Sequence, residues 1–133
     1  MNDYDSVYQL WLNTPGVGLR DLDDSREGIE KFVRRNPSTN FVAEEDGRVV
    51  GVVLSGHDGR RGSIYHLCVA DSHRRRGIGR QLMDKVIEAM KKENITVLAL
   101  VCFANNKVGN SFWRRLGWVK REDLINYRFY LNE

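Results

Sequence analysis

The run Arg74-Arg75-Arg76-Gly77-Ile78-Gly79-Arg80 sets four arginines around two glycines. Glycine lets a ligand come close to the backbone. Arginine brings charge-assisted donors for an anion. A helix starting at Gly77 would present N–H groups without intrahelical partners, and its macrodipole would add partial positive charge at that end. Together these features make a cradle for a diphosphate. The blander reading is a solvated basic loop ahead of an ordinary helix. Other nucleotide motifs do not fit: no Gly-x-x-x-x-Gly-Lys-Ser/Thr occurs, and the glycines lack Gly-x-Gly-x-x-Gly spacing. Just upstream, Tyr65 and His66 are the nearest polar side chains for proton transfer. The imidazole has an ordinary pKa of about 6.5, suited to that task. Strand alternation predicts that only one of the two faces a cleft.

The elements that must position this run are legible in the pattern. Ser63 to Val69 reads as a strand leading into the loop Ala70 to Arg76. Beyond Gly77, Ile78, Leu82, Val86 and Met90 recur every four residues, with Met83 and Ile87 widening the same helix face. Residues 95–103 form a continuous apolar run, as expected of a strand buried on both faces. Because it is separated from Ser63–Val69 by a crossover helix, the two strands should run parallel. Upstream, residues 3–13 read as a helix with Val7, Leu10 and Trp11 on one face, ended by Pro15-Gly16. Asp24 and Glu27 have capping-box spacing for a second helix to Arg35. Strands at 40–45 and 48–55 flank the hairpin turn Asp46-Gly47. A helix over 106–115, stopped near Leu116-Gly117, and short strands at 118–121 and 126–131 complete the chain. The order is α-α-β-β-β-α-β-α-β-β, an α/β (α+β) chain on a mixed, mostly antiparallel sheet.

A chain of 133 residues has the size of one domain, taken as residues 1–133 without repeats or linkers. With 41% hydrophobic and 29% charged residues it is a globular composition rather than a disordered one. The net charge of +3 does not by itself call for nucleic acid, and the arginines concentrate at one loop rather than along a stripe. No apolar run approaches a membrane span, and the acidic N-terminus Met-Asn-Asp-Tyr-Asp is not a secretory signal. Cys68 and Cys102 lie inside apolar runs without Cys or His partners at ligand spacing, so no metal is expected. Two buried thiols in a reducing cytoplasm are the expectation. Asp21, Asp23 and Asp24 could draw in a cationic amine, although a solvated loop and helix cap account for them as well.

The segment Leu67-Cys68-Val69-Ala70-Asp71-Ser72-His73-Arg74-Arg75-Arg76-Gly77-Ile78-Gly79 resembles the acetyl-CoA signature of the GNAT N-acetyltransferases. That signature is a strand ending in apolar-x-Val, a short loop, then Arg/Gln-x-x-Gly-x-Gly/Ala, which Arg74, Gly77 and Gly79 match. A second stretch, Asn106-Lys107-Val108-Gly109-Asn110-Ser111-Phe112-Trp113-Arg114-Arg115-Leu116-Gly117-Trp118, is similar to the family's later Asn-x-x-Ala-x-x-Leu/Phe-Tyr-x-x-x-Gly-Phe motif. The resemblance implies the GNAT acyl-CoA N-acyltransferase fold and acetyl transfer to a primary amine by direct attack. It implies coenzyme contacts from Leu67, Cys68 and Val69 through the backbone, and from Arg74, Arg75, Arg76, Gly77, Ile78, Gly79 and Arg80 around the pyrophosphate. Asn106 and Trp113 belong to the implied coenzyme site near the thioester end.

The sequence departs from the family in three places. The family's first strand is missing, so the chain is truncated, starts internally, or completes its sheet with another molecule, which makes a homodimer plausible. Trp113 stands where relatives carry a tyrosine, and an indole donates a hydrogen bond but is no acid near neutral pH. No carboxylate occupies Ser63–Val69 or Leu100-Val101-Cys102, where some relatives place a base. Tyr65 and His66 are therefore the catalytic candidates. The alternative is a non-catalytic acyl-CoA-binding module on the same fold.

Overall fold

A computed structural model describes residues 2–131, in two compact units that meet in sequence between Phe103 and Ala104. The first unit holds α1 (Tyr4–Leu12), α2 (Asp21–Asp24), α3 (Arg26–Arg35), β1 (Phe41–Glu45), β2 (Arg48–His57), β3 (Gly62–Val69), a 3-10 turn (Asp71–His73), α4 (Ile78–Lys92) and β4 (Leu98–Leu100). The second unit holds α5 (Lys107–Arg115).

The sheet runs in the order β1-β2-β3-β4. Its first two pairings are antiparallel. The third, β3 with β4, is parallel as the crossover required. One face carries α1 and α3. There Val7, Leu10 and Trp11 of α1 and Ile29 of α3 bury against Val52, Leu54 and Cys68. The other face carries α4, whose buried stripe is Leu82, Met83, Val86 and Met90. Gly51 permits its close approach: a Cβ there would lie 3.1 Å from Ile78 Cγ2 and 3.2 Å from Leu82 Cδ1. Burying a Val or Met side chain is worth roughly 1.5–3 kcal/mol, so this stripe rather than helix propensity fixes α4 on the sheet.

Several expectations are corrected. Ser25, not Asp24, caps α3, its hydroxyl accepting the Gly28 N–H at 3.1 Å. The apolar run 95–103 contributes only Leu98–Leu100 to the sheet, and Val101 and Phe103 are exposed. The strand is short and is not buried on both faces: Leu98 and Leu100 are half-buried and Ala99 is exposed, and β3 pairs with these three residues alone. Neither 118–121 nor 126–131 forms a strand among the described residues. Val119, Ile125, Tyr127 and Phe129 are exposed there, with no ladder partner to hold them extended.

No strand precedes α1 among the described residues, and β1 pairs only with β2. Its outer edge carries Glu44 and Glu45 next to a bulge that leaves Val50 unpaired, both of them devices that discourage stray strand addition. Among the described residues no helix is long and apolar enough to cross a membrane.

Candidate active site

The turn into α4 presents an uncapped helix start. Gly77 is the N-cap, in the left-handed region at φ +80°, and no side chain caps the helix start. The first intrahelical bond reaches Gln81 N–H from the Gly77 carbonyl at 3.0 Å. The amides of Ile78, Gly79 and Arg80 precede it and so lack intrahelical acceptors. They point out of the helix start, where the dipole favours an anion.

The arginines divide into two pairs. Arg74 folds back, its Nε donating to the Val69 carbonyl at 3.3 Å and its guanidinium 3.2 Å from Asp71. Arg76 makes a two-oxygen contact with Glu45 of β1 at 3.1 and 3.2 Å. His73 pairs with the same carboxylate. These contacts shape the loop. Arg75, itself at φ +65°, and Arg80 are exposed and have no ion-pair partner among the described residues. They are the cations free to meet a phosphate.

The second element is the open flank of β3. Pairing with β4 stops at Ile64↔Leu100, while β3 continues to Val69. Tyr65 to Val69 therefore has no ladder partner on that side. Five residues of strand give roughly 16 Å of free backbone edge at about 3.3 Å per residue. This edge leads straight into the α4 cradle through the Ala70–Arg76 loop. An extended polar arm ending in a diphosphate fits both parts, because the edge offers amides and carbonyls in series and the helix start accepts the charge.

Tyr65 and His66 do not alternate as expected. Leu54 opposes His66 and Ser55 opposes Ile64, so Tyr65 is the extra residue of a β-bulge. The bulge turns both side chains toward the α1–α3 face. The Tyr65 ring meets Phe32 of α3 edge-on at 5.4 Å, and the His66 ring lies 4.9 Å from Trp11 of α1. Tyr65 is half-exposed and its hydroxyl makes no hydrogen bond among the described residues. His66 Nε2 lies 2.8 Å from Asp24 Oδ1, a contact the sequence analysis missed because Asp24 reads locally as a cap. Beside this pair the Trp11 indole N–H is buried and makes no hydrogen bond.

The second unit has its own geometry. Asn106 caps α5, its Oδ1 accepting the Gly109 N–H at 3.0 Å. Trp113 lies 5.0 Å from the rings of both Phe112 and Trp118. The carboxamide oxygen of Asn106 is thus engaged in capping, a local structural use for the residue that the resemblance assigned to the coenzyme.

Cys68 is inert. Burial pushes its thiol up to about 11, above its ordinary 9.0. Cys68 and Cys102 form no disulfide, and among the described residues no cluster of His, Cys, Asp and Glu could hold a metal ion. A folded-state pKa above the unfolded one adds stability below the unfolded value and loses it as pH rises through the folded value. We therefore expect Cys68 to contribute about 2–3 kcal/mol below pH 9, lost toward pH 11. Urea unfolding across this range should show a shallower decline in Cys68→Ala than in the parent protein; parallel declines would refute the assignment.

The chain belongs to the acetyltransferase (GNAT) family, which it matches over residues 4–118. Its activity is accordingly that of an acetyl-CoA-dependent N-acetyltransferase. It is similar to Acetyltransferase SG1711 of Sodalis glossinidius (strain morsitans), at 27% identity over 124 residues, covering 93% of this chain and 86% of that protein. In fold it resembles the aminoglycoside 6'-N-acetyltransferase AAC(6')-IG of Acinetobacter haemolyticus, with a TM-score of 0.76 at 14% identity over 98% of this chain and 94% of that one. AAC(6')-Iy, solved with the bisubstrate analogue CoA-S-monomethyl-acetylneamine, gives a TM-score of 0.72 at 20% identity over 97% and 92% of the two chains.

Proposed function

We propose that the chain binds acetyl-CoA along β3 and the α4 start and transfers the acetyl group directly to a primary amine. The observation that carries this reading is the continuity between the unpaired edge Tyr65–Val69 and the uncapped helix start at Gly77. The amides of Ile78, Gly79 and Arg80 would hold the diphosphate, with Arg75 and Arg80 adding charge. The backbone of Leu67–Val69 would pair with the arm. The family match, residues 4–118, runs from the first compact unit into the second, which supports treating the chain as one catalytic domain. Two cysteines that form no disulfide fit a cytoplasmic setting.

Acetyl-CoA supplies an activated thioester carbonyl. Everything else is positioning and proton handling by this chain. His66 sits near the start of the free edge, on the face of α1 and α3, and would accept the proton the amine must lose. Backbone N–H groups near Leu67–Val69 would polarise the carbonyl as its oxygen gains charge. Holding amine and thioester in attack geometry can itself supply several kcal/mol. The departing thiol has a pKa of roughly 8.5, so its thiolate leaves without a strong acid, and Trp113 is no handicap.

Tyr65 accordingly has a modest role as proton donor to the leaving group. Tyr65→Phe should slow turnover less than about tenfold, roughly 1.4 kcal/mol, in a steady-state assay under saturating acetyl-CoA; a larger loss would make the phenol the principal acid.

The acceptor class is a primary amine, a reading supported by the bisubstrate analogue CoA-S-monomethyl-acetylneamine held by AAC(6')-Iy. The test is thiol release from acetyl-CoA with purified protein and a panel of aminoglycosides, small amines, amino acids and peptide N-termini. Amine-dependent release supports transfer. Tight acetyl-CoA binding without release on any amine would point instead to a binding module on this fold.

A further inference from the structure

We infer that Asp24 is the positioning residue for His66, forming a carboxylate–imidazole pair that fixes which ring nitrogen receives the amine's proton. The inference rests on the catalytic reading of His66 given above and adds a residue to it. Asp24 lies at the end of α2, 42 positions from His66 in sequence, and is only 6% exposed. Lone buried carboxylates are costly unless paired. This one is paired on both oxygens. Oδ1 meets His66 Nε2 at 2.8 Å, and Oδ2 accepts the Arg20 backbone N–H at 2.7 Å. The Tyr4 hydroxyl donates to the Asp24 carbonyl at 2.6 Å, anchoring the same residue to α1. Handing the capping of α3 to Ser25 frees the Asp24 side chain for this role.

A carboxylate only accepts hydrogen bonds, so the contact places a proton on Nε2. The neutral ring then carries its lone pair on Nδ1, which has no hydrogen-bond partner among the described residues. Nδ1 is the atom that accepts the proton from the attacking amine, and the positive charge that forms lies against Asp24. Trp11, packed at 4.9 Å, holds the ring plane.

Asp24→Asn tests this sharply. An amide has one acceptor where the carboxylate used two. If its oxygen keeps the Arg20 N–H, its NH2 faces His66 and forces the proton onto Nδ1. We expect kcat to fall at least thirtyfold, with the acetyl-CoA dissociation constant unchanged within twofold. The double variant Asp24→Asn/His66→Gln should be no more than twofold slower than His66→Gln alone, because both changes remove one function. Nitrogen-15 NMR of the imidazole should show an Nε2-protonated neutral ring in the parent protein and a shift toward Nδ1 in Asp24→Asn.

Full additivity in the double variant, or a kcat within threefold of the parent for Asp24→Asn, overturns the inference. Should Asp24→Asn fail to fold, the parent protein alone still decides: an Nδ1-protonated His66 overturns the inference, and an Nε2-protonated ring supports it. Coenzyme binding and amine-dependent release by the parent protein are read separately. Their loss would refute the proposed function, whereas their persistence with an Nδ1-protonated ring refutes only the role of Asp24.

Discussion

Gly77→Val is expected to raise the acetyl-CoA dissociation constant at least tenfold while leaving the fold intact. Gly77 sits at φ +80°, and no heavy atom lies within 4 Å of where its Cβ would be. The substitution therefore meets no clash inside the protein. Its cost is conformational, roughly 1–2 kcal/mol for a residue with a Cβ in the left-handed region and more for a β-branched one. Relaxing that strain rotates the amides of Ile78 and Gly79 out of their common direction, and the added side chain stands in the diphosphate's approach. Gly59 provides the control. It has φ +92° and equally open surroundings but lies in the turn between β2 and β3. Gly59→Val should lower thermal stability by a similar amount and leave coenzyme affinity alone. Calorimetric titration with thermal melts of both variants separates strain from binding. Equal affinities in Gly77→Val and the parent would remove the basis for placing the diphosphate here.

His66→Gln should lower kcat by 10² or more, with little change in acetyl-CoA affinity. Positioned general bases contribute about 10²–10⁴ in rate, and 10² corresponds to about 2.7 kcal/mol of barrier. Glutamine is the informative choice because its amide can still donate to Asp24, so the buried carboxylate keeps a partner. Alanine would strand that carboxylate, and the resulting destabilisation would blur the kinetics. A residual rate within tenfold of the parent would mean that solvent, not the imidazole, takes the proton. Single-turnover rates at saturating amine and coenzyme distinguish the two.

The strand-to-helix junction at Gly77 could be read from sequence because its signals are local. Two glycines, a basic cluster and a four-residue apolar period all fall within one strand-to-helix junction. The His66–Asp24 pair could not. Asp24 and Ser25 are adjacent residues of the two best capping types, and only tertiary packing decides which one caps and which is buried. The shared direction of Tyr65 and His66 was equally hidden, because a bulge breaks the period-two rule without a residue signature here. The apolar runs after Ile95 misled for a related reason. Ile125, Tyr127, Phe129 and Leu131 alternate as a strand would, but β structure is a property of pairs, and the described residues give that segment no partner.

The division of labour among the loop arginines bears on how the protein responds to ionic strength. Arg74 and Arg76 are already neutralised by Asp71 and Glu45. In the coenzyme site proposed above, only Arg75 and Arg80 would remain to act on the ligand over long range, and mobile ions screen exposed charges beyond about 10 Å at 0.1 M. The backbone amides, as short-range dipoles, would escape most of that screening once in contact with a diphosphate. Coenzyme capture should thus persist in brine-like media better than a count of four clustered arginines suggests.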